Sequence, residues 1–500
     1  MHTGITPSKS KLVGNREPIT RWRPATILGV PTEWLTIPKY GLSTLPKTTS
    51  HGCPECRKSR VQKDKLHLGE ALTRTATHGD IQRMSSKLIN RDRLLDRFLK
   101  YVRVGTTADP NTNDYPSSRG QWLLGQMLVE QLREMGIDDA LQDDHGLVWG
   151  TVPATVPGPV PTILFNAHLD TSPEAPGDHC KPQVIECYEG GDIPLLSGDV
   201  IREQDTPELA KLLGHTLITT DGKTLLGGDD KAGVAAIMEL AHHLMENPHL
   251  PHGPIRILFT CDEEIGRGTK FVDMQRADAI AGYTLDGGGA GIIDVETFSA
   301  DMATVKFTGY NIHPSIGKGR MVNAIRAASK FVAMLPSQSL SPETTDGRDG
   351  FIHPYVLHGS VAEAMVQLIL RDFDTAKLTE YADRLRGVAA EICKEEPRLA
   401  VHVEIVEQYR NMADRLKQFP VAADLAEKAF HHIGITSTRA SIRGGTDGAL
   451  MTQMGLPTPN LSVGQYNIHS CKEFASLSEM EIAVKQAVVL VDLWQQFGRS

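Results

Sequence analysis

Five short segments of this chain carry residues able to do chemistry. They are His168-Leu-Asp170, Gly228-Asp229-Asp230-Lys231, Asp262-Glu263-Glu264, Asp286-Gly-Gly-Gly289 and His469. Imidazole and carboxylate are the donors that borderline cations prefer, and zinc takes four or five nitrogen or oxygen ligands at about 2.0–2.2 Å. Two histidines and three or four carboxylates are enough for two zincs. Two Zn²⁺ bring four positive charges, which Asp229, Glu264, Asp286 and one hydroxide balance, whereas one metal would leave carboxylate charge in excess. Taken singly, each segment has a plainer reading. A His-x-Asp is commonly coincidence, an Asp-Asp pair opening a helix caps it and offsets its dipole, adjacent glutamates decorate solvated loops, and triple glycine marks a turn. A dizinc hydrolase and this set of structural roles both remain open on residue chemistry alone.

What separates the readings is the set of elements that positions these residues. Thr162-Ile-Leu-Phe165, Ile255-Arg-Ile-Leu-Phe-Thr260 and Gly282-Tyr-Thr-Leu285 have strand character, and a helix is expected from about Lys231 to Met245. Before them, Leu94, Leu95, Phe98, Leu99 and Val102 recur at helical spacing, and a second helix through Trp122–Met135 should end at the left-handed cap Gly136. This alternation predicts an α/β fold, a mixed sheet with helices on both faces. Ligands of such sheets collect at the carboxyl ends of strands, which is where the polar segments fall. Residues 298–411 read differently. Strand-like Ala303–Phe307, a helix from about Met321 to Met334, strand-like Gly359–Ala362 and Met365–Arg371, a helix near Thr379–Glu391 and strand-like Ala400–Glu404 give the order βαββαβ, an inserted ferredoxin-like α+β unit. The domain reading is therefore 1–83 as an extension, 84–297 and 412–500 as one catalytic domain in two parts, and 298–411 as the insert.

Composition sets the outer bounds. The 500 residues carry a net charge of −9 and seven cysteines, with a mean hydropathy of −0.23. No apolar run is long enough to span a bilayer and no signal-peptide core is present, so a cytoplasmic protein without membrane partners is expected. The odd, scattered cysteines suit reduced thiols. Residues 1–83 hold 14 Lys and Arg against 6 Asp and Glu, whereas the rest hold 38 against 55. With seven prolines by residue 54 and little periodicity, that basic stretch is expected to be disordered, and Met84 could be a second start. Its Cys53-Pro-Glu-Cys56 looks like half a zinc ribbon, but no second cysteine pair follows. A non-catalytic zinc or nucleic-acid binding protein is the alternative this region raises, and no nucleic-acid partner is expected.

The segments His168-Leu-Asp-Thr-Ser-Pro173, Leu217-Ile-Thr-Thr-Asp-Gly-Lys-Thr-Leu-Leu-Gly-Gly-Asp-Asp-Lys-Ala-Gly233, Asp262-Glu-Glu264, Asp286-Gly-Gly-Gly289, Asn311-Ile-His-Pro314 and Arg443-Gly-Gly-Thr-Asp-Gly448 together resemble the peptidase T family, bacterial tripeptide aminopeptidases of the aminoacylase-like clan of dizinc peptidases. The resemblance runs from about residue 90 to 498. It implies two Zn²⁺ per subunit, with Asp229 bridging, His168 and Asp286 completing one site, and Glu264 and His469 the other. It further implies that Asp170 orients His168, that Glu263 is the general base, and that a cis peptide follows Asp229. Glu263 and Glu264 would point to opposite faces of a regular strand, so both can serve one site only if the chain leaves the extended path after Thr260.

The insert would act as lid and dimerisation domain of a homodimer. His313 would polarise the scissile carbonyl, in related dimers from the other subunit. Arg371 matches an arginine that can clamp the carboxylate of a small peptide substrate, Arg443 has a similar claim, and Asn323 a weaker one. Each could instead be structural. The implied function is a zinc-dependent aminopeptidase acting on tripeptides; an amidohydrolase of the same clan acting on dipeptides or N-acyl amino acids is the alternative. Cys261 replaces a usual proline, and Ser470-Cys471-Lys472 follows His469 where the family tends to have Gly-Lys-His.

Overall fold

The computed structural model describes residues 89–498. The basic extension, with its cysteine pair and Met84, lies outside them. Four parallel strands form the centre of a mixed eleven-stranded sheet, in the order Ile255–Thr260, Ile163–His168, Ala281–Gly288, Asn460–Tyr466. All are buried along most of their length, as central strands covered on both faces are. Antiparallel neighbours extend the sheet on both sides: Val148–Val152 pairs with Ile255–Thr260, and Phe474–Ser476 links Asn460–Tyr466 to Leu217–Thr219.

Chain order matters more than strand count. From Ile163–His168 the chain crosses to Ile255–Thr260 on one side, then returns past its starting strand to Ala281–Gly288 on the other. Such a reversal opens a crevice at the carboxyl ends of the strands. The first crossover runs through helix Gly228–Glu246, whose residues up to Leu244 are buried apart from His242, and which packs on the sheet beside helix Leu477–Phe497. One continuous core joins these helices, the sheet and the N-terminal helices Arg91–Tyr101 and Arg119–Glu134. Among the described residues no helix is long and apolar enough to cross a membrane.

Strands Ser299–Thr308, Phe351–Gly359, Glu363–Asp372 and Ala400–Tyr409 form a separate antiparallel sheet, with Phe351–Gly359 and Ala400–Tyr409 at its edges. Helices Ala324–Ala333 and Thr375–Glu395 cover one face over a core of Val305, Phe307, Phe331, Leu368 and Leu385. One sequence expectation fails here. Gly359–Ala362 is not a strand; Ser360 closes a tight turn by donating to the Glu363 carbonyl (2.6 Å), and the strand lies earlier, at Phe351–Gly359. Pro354 and the bulge beside it break the alternation that marks a strand, and an edge position tolerates both.

Candidate active site

The carboxyl ends of the four parallel strands bring the chemistry-bearing segments together. His168 is the last residue of its strand and almost wholly buried. Asp286 lies inside strand Ala281–Gly288 rather than after it. Beyond Thr260 the chain does leave the extended path: Asp262 is left-handed (φ 60°), and Glu263–Ile265 form one 3-10 turn. Asp262 is held by Ser117 N (2.8 Å) and Gln121 Nε2 (2.7 Å), so it serves the turn and leaves the two glutamates to the cleft.

Asp229 stands at the head of helix Gly228–Glu246, where Gly227 (φ 77°) turns the chain and the Asp229–Asp230 peptide is cis. Regular helix begins only at Lys231. Sequence reasoning overlooked the residue that holds this loop. Glu473 accepts from the amides of Leu226 (2.7 Å), Gly227 (2.8 Å) and Asp229 (3.0 Å). The only clue to it in the sequence is its place four residues after His469.

Two triads share Asp229. Ligand atoms of His168, Asp229 and Asp286, and those of Asp229, Glu264 and His469, lie within 4.8 Å of one another. His168 Nε2 is 2.9 Å from Asp229 Oδ1 and 3.8 Å from Asp286 Oδ1, while His469 Nε2 is 3.3 Å from Asp229 Oδ2 and 2.9 Å from Glu264 Oε2. Glu263 Oε2 reaches within 4.0 Å of His168 Nε2. Behind His168, Asp170 Oδ1 sits 3.4 Å from Nδ1, and its two oxygens accept from the amides of Glu263 (3.0 Å) and Glu264 (3.1 Å). Glu174, another residue the sequence did not single out, stands 3.2 Å from His469 Nδ1. Asn460 fixes Asp286 from beneath, accepting from its amide (3.1 Å) and donating to its carbonyl (3.2 Å).

So many carboxylates in one crevice repel. Burial and the neighbouring Asp286 push Glu263 well above the usual carboxyl range; burial and Asp229 do the same to Asp286 and take Glu264 to about 7. Burial opposes charge on both histidines, but Asp170 and Asp229 more than reverse this for His168, and Asp229 and Glu264 raise His469 to about 11. Asp229, hydrogen-bonded to both imidazoles, falls below the ordinary range despite its burial. Glu264 Oε1 is buried without a hydrogen-bond partner among the described residues. Imidazoles facing carboxylates, excess acid and an unpartnered carboxylate oxygen all fit a cluster built for cations, and the residues present suit two borderline metal ions sharing Asp229.

The remaining candidates divide. The side chain of Arg371, on strand Glu363–Asp372, makes no hydrogen bond or ion pair among the described residues, and its Nε is buried. Arg443 lies 5.3 and 5.8 Å from the ring centres of Phe298 and Phe351 and donates to Thr345 O (3.2 Å) and Gly347 O (3.1 Å), a structural setting. Asn323 caps helix Ala324–Ala333, accepting from the amides of Ile325 (3.0 Å) and Arg326 (3.3 Å). His313 is exposed and bonds the Ser315 hydroxyl (2.7 Å) within its own turn, and among the described residues none of its hydrogen bonds is to the acidic cluster.

A doubly wound sheet whose strand ends gather two imidazoles around a shared carboxylate defines a metal-dependent hydrolase. The model of peptidase family M20/M25/M40 matches residues 214–492, and the chain belongs to that family. It is 42% identical over 405 residues to peptidase T of Geobacillus thermodenitrificans (strain NG80-2), covering 81% of this chain and 98% of that protein. Among solved structures it is similar to the aminopeptidase PepT of Bacillus cereus, with 25% identity, a TM-score of 0.61, and coverage of 81% of this chain and 99% of the other. A dinuclear metal binding peptidase of the M20 family from Bacillus subtilis shares the fold at 14% identity, with a TM-score of 0.55 over 81% of this chain and 98% of its own.

Proposed function

We infer that this protein is a cytoplasmic, homodimeric dizinc aminopeptidase that releases the N-terminal residue from tripeptides. The observation that carries the reading is the pair of triads meeting at Asp229, with Glu263 beside them and free of any ligand role. The relatives named peptidase T, matched over nearly their full length, support the substrate class.

In this reading His168 and Asp286 would hold one zinc, Glu264 and His469 the other, and Asp229 would serve both. Two zincs bound there would polarise the scissile carbonyl and acidify a water. The chain's own residues do the rest. Glu263, kept basic by burial and by neighbouring acids, takes the proton of the attacking water and delivers it to the leaving nitrogen. Asp170 aligns His168 on one side and the Glu263 amide on the other, so base and ligand share one anchor. Arg371, an unpaired guanidinium, takes the free carboxylate of the peptide, and its distance from the metal cluster acts as a ruler for three residues. His313, exposed in its own chain, completes the site of the partner subunit by supporting the scissile oxygen.

Metal analysis of the purified protein, combined with hydrolysis of a free tripeptide, tests this. Two zincs per chain, activity lost on chelation and restored by zinc, and one zinc lost in His469→Ala are the expected results. Full activity in metal-free protein would refute it. Sedimentation at micromolar concentration should give twice the chain mass; a monomer with full activity would remove His313 from the account.

A further inference from the structure

Strand register places two side chains side by side near the cleft. Ala300 pairs with Arg371 on one side and Tyr409 on the other, and paired residues of adjacent strands point to the same face. The small Ala300 is the residue between them on the central strand. That face is the one opposite the two helices of the smaller sheet, since Ala303, Val305, Leu368 and Leu370 fill the helix-covered side. Phe298, Phe351 and Phe373 form an apolar floor there, against which Tyr409 packs.

The Tyr409 hydroxyl is buried and has no hydrogen-bond partner among the described residues, and the same holds for Arg371 Nε. A buried donor left unsatisfied is costly, and two on one face point to a group that accepts from both. The ring is also held in place. A Cβ on Gly445 would come within 2.5–2.9 Å of three atoms of the Tyr409 ring, so the Arg443-Gly-Gly-Thr446 loop lies flat against the ring because it lacks a side chain there. Burial raises the phenol above its ordinary value, and the Arg371 cation and the Glu263 carboxylate act on it in opposite directions.

We propose that Tyr409 is a substrate-binding residue whose hydroxyl, together with Arg371, donates to the terminal carboxylate of the peptide. The inference rests on the tripeptidase reading and extends it. A carboxylate can accept from a phenol and a guanidinium at once, and such charge-assisted bonds are short and strong. A C-terminal amide, which is neutral, would lose most of that advantage.

The test compares wild type, Tyr409→Phe, Arg371→Ala and the double variant of the zinc-loaded full chain on trialanine and trialanine amide. Tyr409→Phe should raise KM for trialanine about tenfold while changing KM for the amide less than about threefold, with kcat within about twofold on both. The double variant should be within about threefold of Arg371→Ala, because both donors serve one carboxylate. Gly445→Ala, which displaces the ring, should reproduce the KM pattern. Since the hydroxyl has no internal partner, Tyr409→Phe should melt no lower than wild type. Equal losses on acid and amide, or a fall in kcat at constant KM, would overturn the proposal. Calorimetric binding of dialanine and its amide to wild type and Tyr409→Phe reads the same contrast without turnover. A wild type that cleaves neither tripeptide therefore refutes the activity alone, and unchanged dialanine binding in the variant refutes the role of Tyr409.

Discussion

Asp170 ties the centre together at the scale of single residues. It contacts the ring of His168 and receives the amides of both Glu263 and Glu264, so one carboxylate holds three residues that the proposed function makes a ligand, the base and a second ligand. Asp170→Asn can keep one of these amide contacts but must present an NH2 to the other, and it removes the anion behind the imidazole. Zinc affinity is expected to fall about 10–100-fold, measured by competition with a chelating dye. Glu263→Gln should behave in the opposite way, with kcat down about 10²–10⁴-fold and zinc content unchanged; equal metal loss in both would erase the distinction between ligand and base. Much of this neighbourhood is readable in the sequence because its residues sit in short motifs, His-x-Asp, Asp-Asp and Glu-Glu. Glu473, Glu174 and Asn460 are not, because each acts through one or more hydrogen bonds to a loop or residue far away in the chain, and no local spacing marks such a role.

Elements decide whether those residues can meet. Gly227 adopts φ 77° two residues before Asp229, and a Cβ there would stand 3.1 Å from Thr171 Cγ2 and 3.2 Å from Lys231 Nζ. Gly227→Ala should cost about 1–2 kcal/mol of stability from the backbone alone and displace Asp229 as well, so denaturant melts and zinc titration should both report it. Helix Leu477–Phe497 opens with Ser476 accepting from the Glu479 amide (3.3 Å). Burial raises the Glu479 carboxyl to about 7, although the Tyr466 hydroxyl donates to it (2.7 Å). A folded-state pKa above the unfolded value near 4.5 means its stabilisation is complete below about pH 4.5 and lost as pH rises through 7. Glu479→Gln should therefore gain on the order of 2 kcal/mol relative to wild type on moving from pH 5 to pH 8, seen as a larger melting-temperature difference at the higher pH. Helical periodicity and buried β-runs reveal most elements here, while strand Phe351–Gly359 escapes because an edge strand can carry a proline and a bulge and stay paired.

At the scale of the whole molecule the proposed function divides between two sheets: the mixed sheet carries the His168, Asp229, Glu264, Asp286 and His469 cluster that would hold the metals, and the smaller antiparallel sheet carries Arg371 and Tyr409, the proposed donors to the far end of the substrate. Chain reversal around Ile163–His168 is what makes one crevice from segments up to about 300 residues apart. The acidic cluster is repulsive by itself, so the metals should hold the fold as well as the reaction. Ions that bind only the folded state stabilise it by about 4 kcal/mol at a thousandfold excess over Kd. Chelation should lower the melting temperature and two equivalents of zinc should restore it; a melting curve indifferent to chelator would contradict the assignment of the cluster. Most direct is mass-spectrometric product analysis of a dipeptide, a tripeptide and a tetrapeptide of the same composition, with zinc, for wild type and Glu263→Ala. Release of the N-terminal residue from the tripeptide by wild type, with little or none from the other two and none in the variant, is the expected result. Cleavage confined to dipeptides, or persisting in Glu263→Ala, would contradict it.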